Sequence, residues 1–290
     1  MADTAQDSTQ DREQDGAGRD PVRETVATEP QRWIHFEGLD NVRDVGGLPL
    51  RDGGSTRPGV LLRSANLRAA TPSDVRRLVE DLGLRLVIDL RTAREVDRDG
   101  PTAVAAAGVE TVALTFLPDD GLAFPVADGT TDVDPLLSAY LGYLDDRPDN
   151  VVAAVALLAG REDAAAVAVT DADPGATLVH CAAGKDRTGV LVALVLDAVG
   201  VEREAVVADY ALSAEQVEAM WRRWTTAAGT EMPDDLTPHL PRAEVMAALL
   251  ARLDAEHGDG DGGGGAAGWL RAHGLPDDAL ARLRRQLTGR

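Results

Sequence analysis

Residues 177–189 read T-L-V-H-C-A-A-G-K-D-R-T-G, and they constrain the fold more than any other stretch. The apolar run before them, 176–179, has the length and composition of a short strand. The run after them, 189–199, G-V-L-V-A-L-V-L-D-A-V, is apolar nearly all round and is stopped by Gly200. This order predicts a strand, a tight loop and a buried helix. Such a loop aims several unpaired backbone N–H groups at one small volume, where the helix dipole also favours negative charge. Two anions can share that cradle: a thiolate at Cys181, the only cysteine in the chain, and a bound oxyanion.

Thiols in such cradles are commonly ionised, which is the nucleophilic form. Arg187 follows in the same loop and supplies a planar fork that can hold two phosphate oxygens at once. Thr188 is placed to give a hydroxyl hydrogen bond to the sulfur. Gly184 lets the backbone turn with no Cβ in the way. The expected phosphate-binding ring is Ala182, Ala183, Gly184, Lys185, Asp186 and Arg187, with His180 and Thr188 in support. Hydrolysis of a phosphate ester through a cysteinyl-phosphate follows from that set. A lone cysteine before an apolar helix is ordinarily a small buried hydrophobe; His180, Gly184, Lys185, Arg187 and Thr188 at these offsets argue against that reading here. A Walker A loop fails, because Val179 stands where its first glycine belongs and Asp186 replaces the hydroxyl that would bind magnesium.

H-C-x-x-G-K-D-R-T-G resembles the H-C-x5-R signature of the cysteine-dependent protein tyrosine phosphatase superfamily, and in detail its bacterial tyrosine/lipid phosphatases. Four further segments agree in order: N-V-R-D-V-G-G at 41–47, R-P-G-V-L-L-R-S-A at 57–65, V-I-D-L-R at 87–91 and A-D-Y at 208–210. The resemblance implies an α/β fold with a mainly parallel central sheet and helices on both faces. It also implies a helical lid within 209–256 that shields the cysteine and admits hydrophobic or lipid-like substrates. Cys181 would be the nucleophile and Arg187 the phosphate clamp, with no cofactor. The substrate would be a phosphotyrosine protein, with tolerance for phosphoserine, phosphothreonine and phosphoinositides. Arg43 and Asp44 match an early R-D pair that supports the active-site end of the sheet in that family; a local salt bridge is the plainer alternative. Two rivals remain: a catalytically silent phosphate-binding module, and a sulfurtransferase, against which Lys185 and Arg187 argue.

The 29 basic and 49 acidic residues give a net charge of −20, which sets nucleic acid aside as a partner. Anionic substrates are repelled at long range, so a local basic pocket must capture them. One cysteine leaves no disulfide framework and no resolving thiol. Residues 1–31 carry scarcely any core-forming side chain and read as a disordered acidic tail, with the catalytic domain at 32–290. No apolar run is long enough for a membrane span and no leader sequence is visible, so a cytoplasmic protein is the default, signal-less export aside.

Along the domain, 33–47 reads as a strand and glycine turn, with His35 structural, followed by a hairpin turn at 52–54 and a strand at 60–64. Thr71-Pro72 opens a helix to Asp81 that Gly83 ends. A buried strand at 84–90 then releases Asp89, Arg91 and Arg94, and Thr92 with Glu95 forms a capping box. Chemistry gathers at the C-terminal ends of strands in open α/β sheets, which places Asp89 near the Cys181 loop. Three carboxylates are candidates for the general acid: Asp89, Asp119 in L-P-D, and Asp186. The resemblance favours Asp89, with Asp186 second; for Asp89 the alternative is a carboxylate orienting a neighbouring arginine. Helices are expected at 134–144, carrying Tyr140 and Tyr143 as packing residues, and at 148–158. Residues 161–175 read as a surface insertion with a short strand at 166–170. After Gly200 the chain is helical at 202–212, 214–228, 242–256 and 277–287, with 257–268 a flexible glycine linker. The histidines are scattered, so no zinc site is expected.

Overall fold

The computed structural model describes residues 32–118, 133–160, 175–260 and 264–290. The tail at 1–31, Asp119 and the strand read at 166–170 lie outside them. Five strands form one sheet: β1 (Arg43–Asp44), β2 (Leu61–Ser64), β3 (Leu84–Asp89), β4 (Glu110–Ala113) and β5 (Ala176–His180). Their order is β1-β2-β5-β3-β4, and only the β1–β2 pair is antiparallel. The mainly parallel sheet is therefore present, and the strand that leads into the Cys181 loop lies at its centre.

Alternation along the inner strands sorts their side chains onto two faces. Leu62, Val87 and Leu178 join one core cluster, while Leu61, Ile88 and Val179 join the other. The first face is covered by α1 (Pro72–Arg76, continued by a π turn at Arg77–Asp81) and α3 (Ala103–Ala106). The second carries α4 (Pro135–Asp146), α5 (Pro148–Leu158), α6 (Asp186–Ala198), α7 (Arg203–Ala211), α9 (Ala243–His257), α10 (Gly265–Ala272) and α11 (Asp277–Thr288). Between β3 and α3 runs α2 (Ala93–Asp99), and α8 (Ala214–Ala228) follows α7. Among the described residues no helix is long and apolar enough to cross a membrane.

Two local readings need correction. The stretch at 33–47 is not a continuous strand; a single bridge joins Trp33 to Arg43, and β1 is two residues long. The chain leaves the sheet because Asp74 accepts the amides of Glu37 and Gly38 at 2.9 and 2.8 Å, tying the segment to the start of α1. The glycine run at 257–268 is likewise not all linker, since α10 begins at Gly265. Its glycines serve contact. A Cβ on Gly268 would stand 1.9 Å from the His257 carbonyl oxygen, and one on Gly265 2.4 Å from the Leu253 carbonyl carbon. These positions let α10 lie directly on α9.

Helix propensity favours alanine over glycine by about 1 kcal/mol, whereas overpacking a closed contact costs about 1–3 kcal/mol. Overlap this severe against backbone should win, so Gly268→Ala is expected to destabilise the fold by about 1–3 kcal/mol. Urea unfolding reads it as a lower midpoint at constant slope.

Candidate active site

At the C-terminal end of β5 the chain turns through 181–185 into α6. The helix starts three residues before the apolar run suggested, so Arg187 and Thr188 sit in its first turn. The loop is held by its carbonyls. His180 Nδ1 donates to the Cys181 carbonyl at 3.1 Å, and the Asn66 amide donates to the Ala182 carbonyl at 2.9 Å. Asn41 Nδ2 donates to the carbonyls of Ala183 at 2.9 Å and Gly184 at 3.1 Å, and Arg63 Nη2 reaches the latter at 2.9 Å. Four consecutive carbonyls are thus anchored. In a planar trans peptide the next residue's N–H points the opposite way, so the amides of 182–185 face away from all these anchors. Among the described residues none of the amides of 182–187 has an acceptor. Gly184 allows the turn: its φ is +65°, and a Cβ there would stand 2.1 Å from the Ser64 carbonyl oxygen.

Cys181 is 2 % exposed. Arg187 is buried and held bidentately by Glu95, Nη1 to Oε2 at 2.6 Å and Nη2 to Oε1 at 2.8 Å, with Nη1 also on the Leu90 carbonyl at 3.2 Å. Burial opposes its charge, but Glu95 and the neighbouring Cys181 sulfur outweigh burial and raise its pKa above the ordinary arginine value. Glu95 shifts the other way: burial would raise it, and Arg187 with the Thr92 cap holds it below the usual carboxylate range. The capping box at Thr92 and Glu95 forms as read, and its carboxylate has this second use.

A sulfur, a ring of free amides and a fixed guanidinium have therefore been gathered at the end of the central strand. The tyrosine phosphatase family model matches residues 34–289. The chain belongs to this family. Its relatives include the triple specificity protein phosphatase PtpB of Mycobacterium tuberculosis, 30 % identical over 87 % of this chain and 98 % of that protein. A putative tyrosine-protein phosphatase of Cupriavidus necator is 32 % identical over 79 % of this chain and 81 % of its own length. A tyrosine-protein phosphatase of Nostoc commune is 30 % identical over 78 % and 73 % respectively.

The acid candidates separate in the phosphatase. Both oxygens of Asp89 are taken by Arg91, with contacts of 3.0, 3.1 and 2.7 Å, and the carboxylate is buried. Burial would raise its pKa, but His180 and Arg91 prevail and hold it below the ordinary carboxylate value. Asp89 thus has the geometry of a carboxylate that orients a neighbouring arginine. Asp186 stands in the first turn of α6, accepts the Tyr140 hydroxyl on Oδ1 at 2.7 Å, and has a side chain 19 % exposed. Asp119 lies outside the described residues. The hydrogen bond expected from Thr188 to the sulfur is not formed; its Oγ1 is buried with no partner, because the earlier helix start carries it into the turn. His180 is fully buried, and burial keeps its pKa below the ordinary histidine value.

One feature was not legible in the sequence, the support beneath the loop. Asp209, from A-D-Y, is 1 % exposed and takes contacts from Arg32, from Arg43 Nε at 3.3 Å and from Arg63 Nη1 at 2.6 Å. Arg43 also donates to Asn41 Oδ1 at 2.5 Å, so Arg43 and Arg63 both brace groups that hold the loop carbonyls. Burial and Arg63 together bring Arg43 down to about 9 against the pull of Asp209. The R-D pair is therefore not a local salt bridge: Asp44 instead accepts the amides of Gly46 and Gly59. Asn41 itself takes a left-handed backbone, φ 55°, which asparagine tolerates best among residues with a Cβ.

Part of the segment expected as a lid lies against the loop. Ala183 of the loop packs in one apolar cluster with Val217, Met220, Trp221 and Trp224 of α8 and with Leu236 and Leu240 beyond it. Lys185 Nζ donates to the His239 carbonyl at 2.6 Å. The apolar side chains of α8 are thus turned onto the loop that follows Cys181.

Proposed function

We propose that the phosphatase cleaves phosphotyrosine through a cysteinyl-phosphate on Cys181, with tolerance for other phosphate monoesters. The observation that carries this reading is the four anchored carbonyls of 181–184, which turn a ring of amides inward beside a guanidinium fixed by Glu95. Cys181 Sγ attacks phosphorus in line as the bond to the leaving oxygen breaks. The amides and Arg187 take up the charge spread over the equatorial oxygens and need little reorganisation to do so. Asp186 gives its proton to the leaving oxygen. In the second step it accepts a proton from water, which attacks phosphorus and releases the sulfur.

Asp186 is preferred to Asp89 because its side chain is partly exposed at the loop, whereas Arg91 engages both oxygens of Asp89. The triple specificity of the mycobacterial relative supports broad tolerance. Lys185, beside the ring, offers a cation for a second phosphate such as a phosphoinositide carries. For that use α8 and the turn at Thr237–His239 act as a lid, and the Lys185 bond to His239 opens with it.

The test uses a phosphotyrosine peptide with chelator present. Turnover is expected without added metal and to be blocked by vanadate. Asp186→Asn is expected to lower kcat by about 10²–10⁴-fold. Asp89→Asn retaining the larger share of activity supports the assignment; the reverse order returns the acid to Asp89. Binding of the peptide with no turnover would select the silent phosphate-binding module.

A further inference from the structure

The hydroxyls of Tyr140 and Tyr210 are buried side by side, 2.6 Å apart, in the wall behind Asp186. Buried phenols normally pair with the nearest backbone carbonyl or with water. Here they pair with each other and with one carboxylate. Tyr140 Oη donates to Asp186 Oδ1 at 2.7 Å.

The rings reach this position through specific packing. They meet edge to face, with centroids 6.1 Å apart and planes at 85°. Tyr210 lies against the backbone of α6 at Gly189, where a Cβ would stand 2.7 Å from its Cδ2. Arg242, at the start of α9, pairs its guanidinium with Asp134, the cap of α4, which is the helix that carries Tyr140. Helices α4, α6 and α7 therefore converge on one hydrogen-bonded chain.

We propose that Tyr140 and Tyr210 are positioning residues that orient Asp186 and confine its transferable proton to Oδ2. The direction of the chain follows from its carboxylate end. An ionised carboxylate can only accept, so Tyr140 directs its proton to Oδ1 and is left to accept from Tyr210, while Lys185 Nζ stands 3.5 Å from the same Oδ1. With Oδ1 already receiving a hydrogen, the carboxyl proton of the acid form resides on Oδ2, to which no described residue donates. After transfer, the same Tyr140 hydrogen bond stabilises the anion that must then act as base toward water. Burial raises both phenols above the usual tyrosine value, so both remain protonated donors through the working range.

This inference rests on the reading of Asp186 as the acid, and the experiment separates the two. Steady-state kcat is measured for the parent, Asp186→Asn, Tyr140→Phe, Tyr210→Phe and the Tyr140→Phe/Asp186→Asn pair. Two substrates are used: phenyl phosphate, whose leaving phenol needs a proton, and 2,4-dinitrophenyl phosphate, whose leaving phenolate does not. Tyr140→Phe is expected to lower kcat for phenyl phosphate by roughly 10–100-fold, part of the 10²–10⁴ that an acid contributes, and to leave the dinitrophenyl ester within about 2-fold. Tyr210→Phe gives the same split at smaller size. In the Asp186→Asn background Tyr140→Phe adds nothing, because both act through one group.

Equal losses on both substrates would mean a structural role and overturn the proposal. So would an unchanged rate for phenyl phosphate, or full additivity with Asp186→Asn. If Asp186→Asn alone shows no split, the acid assignment falls and the positioning role falls with it. If Asp186→Asn splits and neither tyrosine variant does, only the positioning role is lost.

Discussion

Cys181→Ser protein is expected to turn over a phosphotyrosine peptide on the order of 10⁶-fold more slowly than the parent, the scale seen when a hydrolase loses its covalent nucleophile. A hydroxyl fits the space of the thiol but is much the weaker nucleophile. The groups that hold phosphate are untouched. Four anchored carbonyls keep the amides turned inward, and Glu95 keeps Arg187 in place. Affinity for the peptide is therefore expected to persist, measured by titration calorimetry on the variant. Substantial turnover by Cys181→Ser would show that another group attacks phosphorus. Loss of binding together with turnover would mean that the sulfur also shapes the loop.

The largest effect on stability is expected at Asp209→Asn. Its carboxylate pairs with Arg32, Arg43 and Arg63, and it is buried together with the last two. Breaking a buried ion pair by removing one partner costs about 3–5 kcal/mol, because the remaining charges are left without compensation. Against a total of about 5–15 kcal/mol that is a large share. The sign of the pH dependence follows from the carboxyl itself. Burial would raise its pKa, but Arg43, Arg63 and Arg32 depress it strongly. Its contribution is then fully present above the ordinary carboxylate range and fades as pH falls through the lower folded value. Urea midpoints of parent and variant should differ through the neutral range and approach one another only in strong acid. A variant as stable as the parent at neutral pH would show that the arginines are accommodated without their counterion.

What the sequence revealed was mostly local. The caps at Thr71 and Thr92, the strand into Cys181 and the apolar helix after it are set by neighbours a few residues apart, and each is present. The proposed nucleophile Cys181 and its proposed phosphate clamp Arg187 were legible for the same reason, being close together in sequence. The partners that position them were not. Glu95 showed its capping signal but not its grip on Arg187, which depends on β3 and β5 lying side by side. Asn41, Arg63 and Asp209 meet only after distant segments pack, and no spacing announces them. Tyr140 looked like a packing residue and is one, while Tyr210 showed only as part of A-D-Y; their hydroxyls gain meaning from what stands opposite. Gly265 and Gly268 resembled a linker because glycine reads the same whether it frees a chain or lets two helices touch.

The order of the strands also bears on how the molecule is born. β2 and β3 leave the ribosome long before β5, yet neither neighbours the other, and β5 is inserted between them. Until that keystone arrives, the nascent chain carries strand edges that must wait for their partner, a condition that invites wrong pairing between chains. Parallel strands joined across so much intervening sequence close slowly. The segment that delivers the proposed nucleophile is thus the one that completes the sheet, and a chain halted before it has neither that group nor a finished core.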